Sequence, residues 1–274
     1  MRIATGPWSK VALYVALTVA AFIVAFPILY AVSISFMSQA DFNAGALLPT
    51  SLSFDNYLAA FERFPLFLYL TNSFVMSALV TVALLATSSL AAFAFSYVPF
   101  KGRSLIFFAV ISTMMIPWEA TIIVNFQTIR ELGWLNTYLG LSVPYFALAF
   151  GIFLLRQAFL TLPHELYEAT QIDGASRFRY FLTMVLPLSR PMLATLAVYG
   201  FLTTWNKYLW PLLVTTNDRV RTVQIGIRMM QSEEQTAWPI VMAAVVLVIL
   251  PTLLLLFFGQ RQLKRGLISG GVKG

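Results

Sequence analysis

Long runs of uncharged, mostly apolar residues are the feature that most constrains how this chain folds. Residues 11–36 and residues 64–100 contain no charged side chain. A helix that crosses a membrane needs about 20 consecutive residues of this kind. Of the 274 residues, 59% are apolar or aromatic and 11% are charged, whereas soluble proteins carry about 25% charged residues. The sequence therefore predicts an integral membrane protein rather than a water-soluble fold.

The positions of the apolar runs predict an all-α, polytopic membrane protein with six transmembrane helices. These helices form a single transmembrane domain, residues 1–274, and the predicted spans are residues 11–36, 72–97, 104–126, 137–160, 192–215 and 237–258. The third span contains Pro117 and Glu119. Because proline interrupts helical hydrogen bonding, that helix either kinks within the membrane or, as we favour, ends near Pro117 and leaves Glu119 at the outer surface.

Basic residues lie mostly on one side of the predicted membrane. With the N-terminus in the cytoplasm, twelve of the 18 Lys and Arg residues fall on the cytoplasmic side, and eight of the 11 Asp and Glu residues fall on the outer side. Cytoplasmic loops of membrane proteins carry such an excess of Lys and Arg. The net charge of +7 is thus explained by an orientation with both termini in the cytoplasm, and it requires no nucleic-acid partner.

The residue types needed for most catalytic and metal sites are missing. Cysteine is absent, which excludes disulfides, thiolate zinc sites and cysteine nucleophiles. His164 is the only histidine, so no histidine-based metal site or catalytic pair can form. No Gly-Lys dipeptide occurs, and the phosphate-binding GxxxxGK[ST] loop is therefore absent. We predict no catalytic residue, no metal site and no cofactor in the chain itself.

The predicted cytoplasmic loop, residues 161–191, reads as two short helices joined by a glycine turn. Pro163 suits the start of the first helix, and Gly174 suits its C-terminal turn. Ser176 can cap the second helix. That helix has apolar residues at helical spacing, which predict one apolar face formed by Phe178, Phe181, Leu182 and Val185. From these properties alone, an amphipathic loop lying on the membrane surface is an equally good interpretation.

The same loop carries a spaced motif. Glu168-Ala169-Thr170, then Gly174 and then Leu186-Pro187 match the EAA loop of ABC importer permeases in order and spacing, with Thr170 and Met184 departing from the usual Ala and Ile. Asn72-Ser73-Phe74, Trp205-Asn206-Lys207-Tyr208 and the ending at residues 266–274 are similar to the carbohydrate-uptake, maltose-transporter-like permeases. Within that family, residues 205–214 and 221–226 resemble the second permease subunit of glycerol-3-phosphate importers most.

The resemblance implies a mechanism and a set of partners. The EAA loop would dock on a cytoplasmic ATPase through Glu168, Ala169, Asp173, Gly174 and Ala175. The expected assembly contains a second homologous permease subunit, two ATPase subunits that bind ATP and Mg²⁺, and an extracytoplasmic substrate-binding protein. It would lie in the lipid of a bacterial cytoplasmic (inner) membrane, and it would import a sugar or sugar-like solute such as glycerol-3-phosphate. A homodimer of permeases is the less favoured alternative.

Trp205, Asn206 and Lys207 are the candidate substrate-pathway residues. Lys207 sits in an otherwise apolar span, and an ionisable group left facing lipid is costly. Lys207 therefore either faces a cavity, where it could meet an anionic or hydroxylated solute, or extends to the outer interface beside Trp205 and Trp210. Asn206 is either a pathway residue or a polar contact between helices.

Two further interpretations remain open at this stage. The outer segment at residues 218–238 contains Arg219, Arg221, Arg228, Glu233 and Glu234, which either dock the binding protein or are solvated loop charges. A secondary transporter driven by an ion gradient is the alternative function, although such proteins usually contain paired repeats and no convincing repeat is visible here. A membrane enzyme is disfavoured because His, Asp and Glu are not clustered.

Overall fold

The computed structural model describes residues 7–231 and 236–271, and it describes side chains up to residue 260. Several residues used in the charge and docking predictions lie outside these ranges, namely Arg2, Glu233, Glu234 and Lys273. The side chains of Arg261, Lys264 and Arg265 also lie outside the described set, as does the end of the predicted C-terminal resemblance, residues 272–274.

Helices account for nearly all the regular structure of the described residues. In chain order they are α1 Pro7–Ser35, α2 Gln39–Asn43, α3 Asp55–Arg63, α4 Leu66–Tyr97, α5 Arg103–Ser112, α6 Trp118–Glu131, α7 Tyr138–Ser142, α8 Ala149–Leu160, α9 His164–Ile172, α10 Arg177–Tyr180, α11 Leu186–Leu188, α12 Arg190–Trp205, α13 Leu209–Val214, α14 Val223–Met230 and α15 Trp238–Gly271. Short 3₁₀ turns occupy Thr113–Met115 and Val143–Tyr145, and a π-helical turn occupies Phe181–Val185. The prediction of an all-α, polytopic membrane protein is confirmed.

Three helical segments are long and apolar enough to cross a membrane unbroken: Trp8–Ser35, Leu66–Tyr97 and Trp238–Gln260. Three more segments meet the same test only as bent pairs. The bend is 98° between Arg103–Met115 and Trp118–Glu131, 48° between Tyr138–Tyr145 and Ala149–Leu160, and 77° between Arg177–Leu188 and Arg190–Trp205. The described chain therefore has three spans by this criterion, or up to six if each bent pair is one span.

The predicted third span, residues 104–126, is broken in the structure. α5 continues into one 3₁₀ turn, and α6 begins only at Trp118. A residue before proline is driven out of the helical conformation by the proline ring, and Ile116 is accordingly extended at φ −87° and ψ 115°. The helix ends just before Pro117, as we favoured, and Glu119 lies in the first turn of the next helix.

The predicted fourth and fifth spans, residues 137–160 and 192–215, are also interrupted. In the fourth, extended Leu148 separates the 3₁₀ turn from α8. In the fifth, α12 stops at Trp205 and α13 starts at Leu209. Pro211 has no N–H to give to the carbonyl four residues earlier, at Lys207, so a continuous helix through this point would lose a hydrogen bond. In the first turn of α13 that missing donor costs nothing.

The chain divides into two compact units, of which the first comprises residues 1–66 and 227–250. Within it, none of the most apolar window of α1 is buried within the protein, whereas Ile34 and Ser35 at its C-terminal end are buried. After α1 the chain is held by α3, because the Asn56 amide donates to the carbonyls of Ser35 at 2.9 Å and Met37 at 2.8 Å. The Tyr57 hydroxyl also lies 2.7 Å from the Ser35 hydroxyl.

The second unit, residues 67–226 and 251–274, contains two buried apolar clusters that support the candidate sites. The first, which we call the loop cluster, contains Leu84, Ala92, Phe93, Leu155, Phe159, Tyr180, Phe181, Val185 and Leu196. The second, which we call the break cluster, contains Met76, Ile129, Leu141, Trp210, Val214 and Val220. Gly151 allows α8 to approach α4 and α12 closely, because a Cβ there would collide with the Ser88 hydroxyl and crowd Leu196.

Candidate functional site

The predicted loop forms a helix, a glycine turn and a second helix. α9 follows Pro163, which occupies the N-cap position rather than the first helical one. At its other end the Gly174 N–H donates to the Gln171 carbonyl at 3.0 Å, and the Ala175 N–H donates to the Thr170 carbonyl at 3.1 Å. This pair of bonds is a Schellman motif, and it requires the left-handed φ of +73° that Gly174 adopts. The predicted glycine turn is confirmed.

The second helix of the loop begins as predicted and then widens. The Ser176 hydroxyl accepts a hydrogen bond from the Arg179 N–H at 3.2 Å and so caps α10. The turn at Phe181–Val185 is π-helical, with the Leu186 N–H donating to the Phe181 carbonyl five residues earlier. Pro187 explains this widening, because its ring would otherwise clash with the carbonyl four residues before it, that of Thr183.

The apolar side chains of the second helix differ in burial. Tyr180, Phe181 and Val185 are at most 4% exposed. Phe178 is 59% exposed and Leu182 is 47% exposed. Two residues of the predicted apolar face, Phe181 and Val185, therefore pack inside the protein, and the other two leave apolar surface exposed.

The loop is anchored on the C-terminal end of α4 by a cluster of aromatic rings. The Tyr97 ring lies 5.5 Å from Tyr167 of α9 and 5.3 Å from Tyr180 of α10, and these two rings are themselves 5.1 Å apart. Phe93 lies 4.9 Å from Phe181. Ring pairs at such distances add stabilisation beyond the burial of apolar area. One face of the loop is thus fixed to the helices of its unit.

The opposite face of the loop is open. Glu168, Ala169, Asp173 and Gly174 are exposed and Ala175 is half-buried. A Cβ added at Gly174 would meet no atom within 4 Å. Ile172, between the acidic and glycine positions, is 86% exposed. The five predicted coupling residues therefore lie together at an accessible turn, next to an apolar side chain with no packing partner of its own in the described chain.

The break between α12 and α13 brings Lys207 into contact with aromatic rings. The Lys207 ammonium lies 4.2 Å from the centroid of the Tyr145 ring and 5.8 Å from that of Trp118. The two rings are 4.7 Å apart, and Trp118 meets Trp210 edge to face at 5.8 Å. The Glu119 carboxylate is near enough to interact electrostatically with Lys207. Cation–π contacts of this kind attract an ammonium group to the ring faces, and the attraction is stronger where the group is shielded from water.

The three candidate pathway residues do not form one surface. Trp205 is 3% exposed and stacks on Phe201 with ring centroids 5.7 Å apart. The Asn206 amide donates to the Leu202 carbonyl at 2.8 Å, which ends α12. Lys207 lies against the rings of Tyr145 and Trp118, which belong to other segments. The sequence analysis did not identify Trp118 and Tyr145. Each directly follows a proline in an apolar segment, and this position could have indicated them.

The outer segment after α13 is fixed to the start of α4. The Asn72 amide donates to the carbonyls of Arg219 at 3.0 Å and Arg221 at 2.9 Å, and the Ser73 hydroxyl accepts from the Val223 N–H at 2.8 Å. The Tyr69 hydroxyl donates to Asp218 at 2.7 Å, and this hydrogen bond lowers the pKa of the Asp218 carboxyl. Asn72 and Ser73 therefore have a structural role in this unit.

These features define a class of protein first. A polytopic α-helical membrane protein whose apolar segments are broken, with polar residues at the breaks, has the construction of a transport permease. Residues 85–269 match the family described as binding-protein-dependent transport system inner membrane component. The chain belongs to this family, as a permease subunit of the ABC importers of the carbohydrate-uptake type. It is a transport subunit and not an enzyme, and ATP is hydrolysed by a partner ATPase.

Curated relatives show the same relationship. The sn-glycerol-3-phosphate transport system permease protein UgpE of Pectobacterium atrosepticum is 44% identical over 207 residues, which are 75% of this chain and 74% of the relative. Proteins of the same name from Yersinia enterocolitica and Salmonella typhi are 43% and 42% identical over 207 residues, with the same coverage of both chains. The predicted resemblance to glycerol-3-phosphate permeases is confirmed at the level of sequence similarity.

Solved structures support the fold. A chain in a bacterial ABC transporter involved in the import of the acidic polysaccharide alginate superposes with a TM-score of 0.83 at 24% identity, covering 92% of this chain and 95% of that chain. A chain in an alginate transporter complexed with a pentasaccharide-bound periplasmic protein gives a TM-score of 0.68 at 18% identity, covering 94% and 97%. At these identities the likeness concerns the fold alone.

Proposed function

We propose that this chain is the permease subunit of an importer for glycerol-3-phosphate or a closely related sugar-type solute. The relatives at 42–44% identity carry that substrate in their names, and they align over three quarters of this chain. The solute is delivered by an extracytoplasmic binding protein and crosses a bacterial inner membrane. Family membership favours this function over a carrier driven by an ion gradient.

The complete importer contains a second homologous permease and two ATPase subunits, which bind ATP and Mg²⁺. Both termini and the loop at residues 161–191 face the cytoplasm. This orientation is supported by the excess of Lys and Arg on that side of the sequence. The coupling loop therefore lies on the side of the membrane where ATP is available.

Coupling to the ATPase occurs through Glu168, Ala169, Asp173, Gly174 and Ala175. The observation that carries this proposal is the two-sided construction of the loop, which is packed on α4 through Tyr167, Tyr180 and Phe181 and open at its glycine turn. A rigidly rooted loop transmits force to the helices below it, whereas a loose amphipathic segment would not. Small residues at the turn permit close approach of another chain, and the carboxylates can pair with its basic groups.

The experiment that tests coupling compares two glycines with the same backbone conformation. Gly174 and Gly133 both have positive φ, of +73° and +68°, and both have open space around them. Gly174→Trp and Gly133→Trp therefore carry similar backbone strain, but only the first places a bulky side chain at the proposed ATPase contact. We expect Gly174→Trp to lose solute-stimulated ATP hydrolysis or co-purification of the ATPase, and Gly133→Trp to retain both.

A second variant tests the charge at the same contact. Glu168→Lys should reproduce the loss, because it reverses the charge without affecting the turn, which uses backbone groups only. The proposal is wrong if the complex hydrolyses ATP and transports normally with both Gly174→Trp and Glu168→Lys.

On the substrate pathway we retain Lys207 and add its neighbours Tyr145, Trp118 and Glu119. An ammonium group beside two aromatic faces and a carboxylate offers hydrogen-bond donors, an acceptor and ring faces, which are the groups that bind a hydroxylated or anionic solute. Trp205 and Asn206 support the break instead, through their contacts with Phe201 and Leu202.

A further inference from the structure

A groove of about 500 Å³ lies between the coupling loop and the ends of α4 and α8. Its walls come from the end of α4, the turn before α5, the end of α8 and the inner side of α9. This volume is within the range of about 300–1,000 Å³ that small-ligand sites occupy. The groove contains none of the five proposed coupling residues and none of the residues around Lys207, although Tyr97 and Tyr167, which pack the loop on α4, also line it.

The lining of the groove is basic. Arg103 and Arg177 enter it from two different segments, and His164, Tyr167 and Gln171 add polar groups from α9. No Asp or Glu is among the described residues that line it. The Glu168 carboxylate, also on α9, lies 3.1 Å from the His164 ring nitrogen Nδ1. Arg156 also interacts electrostatically with Arg103, so a third positive charge is close.

Both arginines keep donors available for a ligand. The Arg177 Nε donates to the Tyr167 hydroxyl at 3.2 Å, which leaves its terminal nitrogens unengaged by that bond. Arg103 makes one long contact, from Nη1 to the Ser96 carbonyl at 3.4 Å. Within the described part of the chain neither guanidinium forms an ion pair with a carboxylate. Two guanidinium groups facing a common space are a typical recognition element for phosphate.

The other wall of the groove is apolar. Phe159, Leu160 and Leu162 line it at the end of α8. The groove thus has basic side chains on one side and apolar side chains on the other, at the ends of α4 and α8. On the cytoplasmic side of a membrane, where anionic lipids give the surface a negative potential, basic pockets between helices bind lipid headgroups.

We propose that this groove binds the phosphate-bearing headgroup of an anionic membrane lipid, which holds the coupling loop against the ends of α4 and α8. The proposal rests on the cytoplasmic orientation of the loop given under the proposed function. Such a lipid contacts α9, the α4–α5 turn and α8 at once. The efficiency with which ATP hydrolysis drives transport should therefore depend on the charge of the membrane.

The test uses the assembled importer in nanodiscs of phosphatidylcholine, alone or mixed with phosphatidylglycerol. Retained phosphatidylglycerol is counted by native mass spectrometry, and transport-coupled ATP hydrolysis is followed as its fraction rises. We expect Arg103→Gln and Arg177→Gln each to weaken phosphatidylglycerol binding by about fivefold, since each basic residue near a lipid surface contributes attraction of that order. Arg177→Lys keeps the charge and should retain most of the binding.

Arg179→Gln is the matched control, because Arg179 is exposed on the same helix and does not line the groove. The proposal is overturned if Arg179→Gln weakens binding as much as the groove variants do, or if all variants bind like the native chain. It is also overturned if inorganic phosphate added to phosphatidylcholine nanodiscs raises transport-coupled ATP hydrolysis as much as phosphatidylglycerol does. The groove would then be a site for a soluble anion.

Failure of this proposal is distinguishable from failure of the coupling proposal. Lipid binding is measured on the complex whether or not it hydrolyses ATP, and Gly174→Trp should leave it unchanged. A protein that binds phosphatidylglycerol normally but is not coupled to an ATPase would contradict the coupling proposal alone.

Discussion

The coupling loop and the break at Lys207 were both singled out by sequence, yet the two regions were predictable to different degrees. In the loop, the glycine turn, the Ser176 cap and the exposed acidic positions all follow from residues within a few positions of one another. At the break, the partners of Lys207 come from two other helical segments, far away in sequence. Local chemistry fixes the first region, and packing between distant segments fixes the second.

The loop itself contains a small example of the same contrast. Its turn was predicted correctly, whereas the spacing of its four apolar residues did not show that Phe181 and Val185 are buried and that Phe178 and Leu182 are exposed. The turn depends on one glycine, but burial depends on the rings of Phe93 and Tyr97 from α4, which pack on Phe181 and Tyr180. Apolar spacing within a short helix therefore does not show which of its side chains a distant helix covers.

The largest expected effect on stability comes from removing the packing between the loop and α4. Phe181 is 4% exposed and packs on Phe93 at 4.9 Å, so Phe181→Ala should lower the free energy of unfolding by about 3 kcal/mol. Phe178→Ala is the matched control and should change stability by less than about 0.5 kcal/mol. Thermal unfolding of the purified complex in detergent measures both. Equal destabilisation by the two variants would contradict the difference in burial between Phe181 and Phe178.

Two alanine substitutions at glycine sharpen the comparison between the regions. At Gly140, beside the break cluster, an added Cβ would collide with the Trp134 backbone carbonyl, and such overpacking costs about 1–3 kcal/mol. At Gly174 there is space, and the cost is only the left-handed backbone, about 1 kcal/mol. We expect Gly140→Ala to unfold at the lower temperature. Gly174→Asn should be milder than Gly174→Ala, because asparagine tolerates the left-handed conformation.

Lys207 offers a test of function rather than of fold. If Lys207 binds an anionic solute, Lys207→Gln should raise the KM for glycerol-3-phosphate uptake about tenfold or more, because hydrogen bonds with charged groups contribute about 1.5–3 kcal/mol. Lys207→Arg keeps the charge and should be less affected. Asn206→Ala is the control, since Asn206 bonds only within α12. An unchanged KM with a lowered thermal stability would assign Lys207 a purely structural cation–π role.

The smallest effect concerns pH at the outer segment. The hydrogen bond from Tyr69 lowers the pKa of Asp218 below its ordinary 3.8, and the Arg221 guanidinium, 2.8 Å away, adds to this. A carboxyl with a lowered pKa stabilises the folded state above pH 3.8, and this contribution is lost as the pH falls through its folded pKa. Asp218→Asn should therefore remove part of the loss of stability below pH 3.8. The effect is small because exposed ion pairs contribute little.

Much of the candidate site could be predicted because its signals are local. The positions of Gly174 and of Glu168-Ala169-Thr170 define the turn and the motif without reference to any other segment. The aromatic partners of Lys207 could not be predicted, since nothing local relates Trp118 or Tyr145 to a lysine on another helix. The basic groove behind the loop was missed for the same reason, as Arg103 and Arg177 meet only after α9 packs on α4.

The sequence by itself determined the membrane environment, the all-α class, the family and the glycine turn of the loop. Each of these depends on composition or on residues close together in the chain, where burial cost and backbone preference act locally. Only the tertiary structure decided that the fourth and fifth spans are also interrupted, which side chains of the loop are buried, and which rings surround Lys207. These outcomes depend on which distant side chains fill the same space, and in a chain where almost every helix face is apolar, hydrophobic periodicity cannot distinguish one packing from another.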